Sequence, residues 1–251
     1  MKKIVIIGAS SGIGYQVAAD FAAMGWRVGM AARHLEPMEA LKERFPENTA
    51  VAAIDVTAED APRRFYDLIE LIDGMDILLF ASGVGFSDPA LDDALTTKTL
   101  NVNVVGFARI LAAAYKYFRD TANVTQGQIA AITSVAATRP LGIAAAYSAS
   151  KRFQQQYIGA LDQLAHIQHV NVCFTDIRPG FVRTPLLRDD RNYPLIMTVE
   201  EAAKCVEHAI LTKKRISTVD FRWRIVTALW RLIPPCLWTH LDVSLSEDKN
   251  K

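Results

Sequence analysis

Residues 3–14 read Lys3-Ile4-Val5-Ile6-Ile7-Gly8-Ala9-Ser10-Ser11-Gly12-Ile13-Gly14. The apolar, β-branched run that stops at Ile7 predicts a strand buried on both faces. Three glycines follow it. A residue without Cβ lets the chain turn tightly and approach a ligand, and a helical pattern over 13–24 comes next. A helix that starts at such a turn offers unpaired N–H groups and a positive dipole end to a pyrophosphate. The spacing is G-x-x-x-G-x-G, not the commoner G-x-G-x-x-G. Gly8, Ser10, Ser11, Gly12, Ile13 and Gly14 are therefore the candidate phosphate contacts.

Outward from this turn the same alternation repeats. Strands are predicted at 27–32, 50–55, 76–80, 128–133 and 171–177, and helices at 35–45, 59–72, 98–118 and 147–166. Short apolar strands separated by long helices imply βαβ units, so the fold class is α/β: a doubly wound, mostly parallel, Rossmann-like sheet with helices on both faces. A chain of 251 residues supports one such domain, able to bury about three-quarters of its unfolded surface. The catalytic domain is placed at 1–219, with a C-terminal helical extension and polar tail at 220–251.

Composition removes several classes. With 51% hydrophobic and 22% charged residues the chain is not disordered. A net charge of +1 gives no global field for nucleic acid. Cys173, Cys205 and Cys236 have no paired spacing, which suits a reducing compartment. The five histidines are scattered, so no metal site is expected. The apolar run after Lys2-Lys3 is too short for a signal peptide, and no run of about 18 apolar residues predicts a span. A cytoplasmic protein is expected.

Ligands of a doubly wound sheet bind beyond the carboxyl ends of its strands. There stand the first glycines, then Arg33, Asp55-Val56, Ala81-Ser82-Gly83, Ser134 and Arg178-Pro179-Gly180. An NAD site usually has an acid about 20 residues past the glycines. Here Arg33 stands 19 residues after Gly14, and the next acid beyond it is Glu36. A guanidinium pairs with a 2′-phosphate that a carboxylate would repel, so NADP (NADPH) is the expected cofactor. Ser10 and His34 are further candidate contacts to that phosphate. Tyr147-Ser148-Ala149-Ser150-Lys151 puts a phenol and an ammonium on one helix face, and Ser134 precedes Tyr147 by 13 residues.

At this combination the chain resembles the short-chain dehydrogenase/reductase family in its single-domain form, over roughly residues 1–200. The resemblance implies a hydride-transferring oxidoreductase that interconverts a carbonyl and a secondary alcohol. By that likeness Tyr147 is the general acid/base and Ser134 orients the substrate oxygen. Lys151 holds the nicotinamide ribose and lowers the tyrosine pKa, while Asn103, a better match than Asn101, sustains a water relay to the lysine. It further assigns Asp55 and Val56 to the adenine, and Ala81 and Gly83 to the stretch passing near the ribose. Pro179, Gly180 and Thr184 are assigned to the carboxamide. Pairing through two long helices, as a homodimer or homotetramer, is also implied. Two features depart from the family pattern: Ile7 replaces a threonine, and Phe80-Ala81-Ser82-Gly83 lacks two asparagines. Independently, bringing a phenol from about 10 to near neutrality takes roughly 4 kcal/mol, which one cation about 4 Å away can supply.

Substrate choice is expected from 186–197. Leu186, Leu187, Tyr193, Leu195 and Ile196 form an apolar lid with Arg188 and Arg191 as counterweights, which favours an apolar alcohol or ketone. A helix is expected from Val199. Beyond it, Trp223, Trp230 and Trp238 stand among Arg222, Arg224 and Arg231, and 213–231 carries six basic residues and one acid. Two readings of this stretch stay open. One is an interfacial helix, with 220–241 touching an anionic membrane. The other is a segment that packs on its own domain, covers the substrate mouth or makes an oligomer contact. The polar tail 244–251 is expected to fray. Besides an enzyme, a non-catalytic dinucleotide sensor and a membrane-recruited interaction protein remain as function classes.

Overall fold

The structure is a computed structural model and describes residues 1–121, 126–187 and 193–243. Seven parallel strands form one sheet in the order β3-β2-β1-β4-β5-β6-β7. They are β1 (Lys3–Ile7), β2 (Arg27–Ala32), β3 (Thr49–Ala53), β4 (Ile77–Phe80), β5 (Gly127–Ile132), β6 (Val172–Arg178) and β7 (Ile216–Thr218). The order reverses between β1 and β4, which makes their carboxyl ends the switch point where such folds bind ligands.

Helices cover both faces, so the strands carry apolar side chains at nearly every position. On one face α3 (Ala61–Leu71), α5 (Phe107–Asp120) and α6 (Ala145–Ile167) bury Phe65, Leu68, Phe107, Leu111 and Ile158. On the other, α1 (Gly12–Ala23), α2 (Glu36–Arg44) and α7 (Val199–Leu211) bury Val17, Phe21, Leu41, Val206 and Ile210. Thr198 and Glu201 start α7 with a reciprocal capping box.

The six expected strands and the helices between them are present, their ends displaced by a residue or two. Two features differ. The helix expected at 98–118 begins earlier, as α4 (Asp93–Leu100), and passes through a π-helical segment, Asn101–Gly106, before α5. At Gly106 any Cβ would meet the Val56 carbonyl oxygen at 2.8 Å, so this segment lies close against the chain after β3. Strand β7 was not foreseen. It has three residues at a sheet edge, too few to show a period.

The C-terminal extension packs against the domain, as one of the two open readings had it. Its helices are α8 (Phe221–Leu232) and α9 (Pro235–Trp238). The Arg139 guanidinium donates to the carbonyls of Trp230 at 3.0 Å and Arg231 at 2.9 Å, and also to that of Ile233. It thereby adds a donor to carbonyls at and just past the end of α8, where helical N–H partners run out. Trp238 Nε1 donates to the Pro140 carbonyl at 2.8 Å, and the Arg139 guanidinium lies 5.8 Å from the Trp238 ring centroid. Cation, carbonyls and aromatic ring thus pin the extension to the loop that follows β5.

Candidate active site

A cleft of about 480 Å³ opens at the carboxyl edge of the sheet. Gly8, Ser10, Ser11, Gly12, Ile13, Gly14, Arg33, Asp55, Val56, Ala81, Gly83, Ser134, Tyr147, Lys151, Pro179, Gly180 and Thr184 all line it. The glycines are there for steric reasons. Gly8 has φ +94°, and a Cβ on it would stand 2.5 Å from the Ser82 nitrogen. A Cβ on Gly14 would stand 2.3 Å from the Gly8 carbonyl oxygen. Strand end, turn and helix start therefore touch backbone to backbone. Ser11, the residue just before α1, makes no side-chain cap, and the first turn holds no acid. The helix start thus keeps N–H donors for an anion.

At the same end of the cleft, Arg33 and Asp55 act on one another. Burial alone would raise the Asp55 pKa, but the Thr57 amide and hydroxyl and the Arg33 guanidinium together hold it below the ordinary carboxylate value. The Thr57 amide donates to Asp55 at 2.9 Å and its hydroxyl at 2.8 Å. Asp55 is thus an anchored acceptor, and Arg33 stands exposed above it.

At the other end, Tyr147 and Lys151 lie one turn apart on α6. The lysine ammonium is 5.8 Å from the Tyr147 ring centroid and only 4% of Lys151 is exposed. Burial drives the Lys151 pKa down to about 8, and the Asp176 carboxylate opposes that fall. Burial also pushes the Tyr147 phenol above its ordinary value, while a hydrogen bond with the Ser134 hydroxyl works the other way. The protein alone therefore leaves the phenol protonated at neutral pH. The depression anticipated from the nearby ammonium is not present without a further positive charge.

Asn103 does not line the cleft; it lies fully buried behind Lys151. Its side-chain oxygen accepts from the Val84 amide at 2.9 Å, and its nitrogen donates to the Val84 carbonyl at 2.7 Å and the Ser150 hydroxyl at 3.0 Å. These bonds tie down the chain after β4, where the two asparagines are missing. Ile7 and Phe80 fill core instead.

Sequence reasoning missed several residues. Gln154, with no exposed surface, accepts from the Lys151 ammonium at 3.0 Å and donates to the Asn103 carbonyl at 2.9 Å. Gln155 donates to the Ser134 carbonyl at 3.1 Å. Both lie a turn beyond Lys151 on the helix face that carries Tyr147, and the spacing from Tyr147 could have exposed them. Arg178, counted among the cleft cations, turns instead to Asp176 at 2.6 Å, whose other oxygen accepts from the Thr133 hydroxyl at 2.6 Å.

The substrate end is apolar. Leu186, Leu187 and Tyr193 line it as expected, together with Leu141, Ile143, Phe181, Trp223 and Trp230, whereas Leu195 and Ile196 do not. Arg188, Arg191 and the tail 244–251 lie outside the described residues. Gly180 has no room for a side chain, since a Cβ would fall 2.1 Å from Trp223 Nε1. Trp223 and Trp230 thus form a wall of the cleft, and no local pattern around residue 223 could reveal that.

A switch-point cleft with a glycine-rich turn at one end and a Ser–Tyr–Lys cluster at the other defines a Rossmann-type protein. The chain belongs to the short-chain dehydrogenase family, whose sequence profile its residues 2–194 match. An uncharacterized oxidoreductase of Myxococcus xanthus is 28% identical over 240 residues, covering 92% of each chain. Among solved structures, a short chain dehydrogenase of Burkholderia cenocepacia in complex with NADP superposes with a TM-score of 0.81 at 18% identity, covering 97% of this chain and 100% of that one. A 3-ketoacyl-(acyl-carrier-protein) reductase of Brucella melitensis complexed with NADH gives 0.76 at 20% identity, over 87% and 96%. At these identities the structures speak for the fold.

Proposed function

We propose that the protein is an NADP(H)-dependent oxidoreductase that interconverts an apolar carbonyl compound and its secondary alcohol, with Tyr147 as general acid/base. The observation that carries this reading is the shared cleft: Arg33 and the open start of α1 at one end, Ser134, Tyr147 and Lys151 at the other. The donor set suits a dinucleotide phosphate. The helix amides and Ser10 would hold the pyrophosphate, Arg33 the 2′-phosphate and Asp55 a neutral donor of the adenosine half. Lys151 would reach the nicotinamide ribose.

When bound, the nicotinamide supplies or accepts the hydride. The remaining work falls to the protein. In the reductive direction the Ser134 hydroxyl and the Tyr147 phenol bind the carbonyl oxygen, which fixes the face of its carbon. The Tyr147 proton then passes to that oxygen as it becomes a hydroxyl. Burial keeps the phenol protonated beforehand, so the acid is loaded at neutral pH. The phenolate left behind is stabilised by the Lys151 ammonium and the Ser134 hydroxyl. In the oxidative direction the same groups act in reverse.

Tyr147→Phe tests this. NADPH binding measured by calorimetry is expected to stay within a few-fold, while turnover on a panel of apolar ketones falls by about 10²–10⁴. Turnover at the parent level in that variant rejects the acid/base assignment.

A further inference from the structure

Helix α8 is apolar on two opposite faces. Inward, Trp223 and Thr227 are buried, and Trp230 packs between Trp223 and Trp238 at centroid distances of 6.0 and 5.3 Å. Outward, Phe221, Ile225, Leu229 and Leu232 are 66%, 55%, 58% and 78% exposed. At about 100° per residue these four fall within an arc of about 80°. Leu237 on α9 and Leu241 after it are also exposed. Scattered exposed leucines are ordinary, but four large side chains aligned on one helix form a contiguous apolar face, the kind of feature that marks an interaction surface.

Charge identifies the occupant. By the same geometry Arg222 flanks the apolar arc on one side and Arg224 and Arg231 on the other. Asp220, the acid at the helix start, is already paired to Arg222 at 2.6 Å. With that pair set aside, Arg224 and Arg231 stand against one carboxylate between 223 and 243, Asp242. A second copy meeting this face across a two-fold axis would set arginines against arginines. An anionic bilayer reverses that penalty: the apolar arc enters the acyl boundary and the arginines reach up to the headgroups. No helix among the described residues is long and apolar enough to cross a membrane, so α8 would lie in the plane of the interface. We propose that the outer face of α8 docks the protein peripherally on an anionic lipid surface. Trp223 and Trp230 on its inner face line the cleft, so docking sets a cleft wall within about one helix diameter, 10 Å, of the lipid. The proposal does not depend on the redox assignment.

The test is flotation of the full chain with two kinds of vesicle. One is pure phosphatidylcholine; the other has one third of it replaced by phosphatidylglycerol. The expected result is flotation with the anionic vesicles at low salt and about ten-fold less with the neutral ones or at high salt. Ile225→Glu/Leu229→Glu and Arg224→Glu/Arg231→Glu are each expected to lose binding by a similar factor. Failure of the parent protein to float with anionic vesicles overturns the proposal without recourse to any variant. So does equal flotation of parent and variants. A parent protein that is dimeric by light scattering, with a monomeric Ile225→Glu/Leu229→Glu form, assigns the face to a second copy instead.

Discussion

Lys151 and Gln154, one turn apart on α6, are joined by a 3.0 Å hydrogen bond from the ammonium to the side-chain carbonyl. The other end of that amide donates to the Asn103 carbonyl at 2.9 Å. A buried protein group thus spans directly the gap between lysine and asparagine that the family likeness filled with a water relay. An acceptor on the ammonium favours its charged form against the burial that disfavours it. Gln154→Leu removes this acceptor and leaves the burial and the Ile132 carbonyl, 3.1 Å from the ammonium. The Lys151 pKa is then expected to drop from about 8 by about one unit. Titration of the lysine Cε resonance in the ligand-free protein measures this; an unchanged midpoint would show that Gln154 does not tune the lysine.

The same lysine makes stability depend on pH. Its folded pKa of about 8 lies below the ordinary 10.5. Between those values the unfolded chain holds a proton that the folded chain has released, so stability rises with pH across the window. The full gain is about 3 kcal/mol. In urea unfolding followed from pH 7 to 10.5, the parent protein is expected to gain roughly that amount relative to Lys151→Met. The bonds lost in the variant shift its curve by a constant, not by a slope, so a parallel pair of curves contradicts the prediction.

Arg33 stands at the end of β2 where the proposed 2′-phosphate contact belongs. A charge-assisted pair contributes about 1.5–3 kcal/mol. Arg33→Asp is therefore expected to weaken NADPH by about 10- to 100-fold and to weaken NADH far less. Calorimetric Kd values for the two coenzymes decide it, and equal losses for both place the guanidinium elsewhere.

Arg139 ties the C-terminal extension to the loop after β5 through three carbonyls and a tryptophan face. Arg139→Ala should loosen α8 and α9 while the sheet stays folded, at a cost of about 1–3 kcal/mol. Amide exchange resolved by segment is expected to speed up in 221–241 and to remain slow in β4 and β5. Because Trp223 and Trp230 line the cleft, KM for an apolar ketone is expected to rise more than kcat falls.

The sheet was legible in the sequence because its strands are covered on both faces. Each then appears as a short apolar run between longer periodic stretches, as in Lys3–Ile7 or Gly127–Ile132. The phosphate turn was legible for a related reason: at Gly8 and Gly14 backbone meets backbone, and only glycine fits. Tyr147 and Lys151 carried a helix spacing of their own. The strand runs and the helix spacing act within a few residues, so the chain states them locally; the glycine turn shows by its residue types, although Gly8 meets Ser82, 74 positions on.

The rest came from contacts between distant parts of the chain. Gln154 looked like one of three consecutive glutamines until α6 packed it against Asn103, 51 positions away. Arg139 gained its role by meeting Trp230, 91 positions away. The tryptophans at 223 and 230 were readable as membrane anchor or core, and only packing against Gly180 and Trp238 turned them inward. Sequence alone determined the βαβ order, the phosphate turn and the helix that carries phenol and ammonium. Tertiary structure alone decided what closes the cleft and how the lysine is held, because burial and long-range hydrogen bonds come into being only when the sheet has brought its edges together.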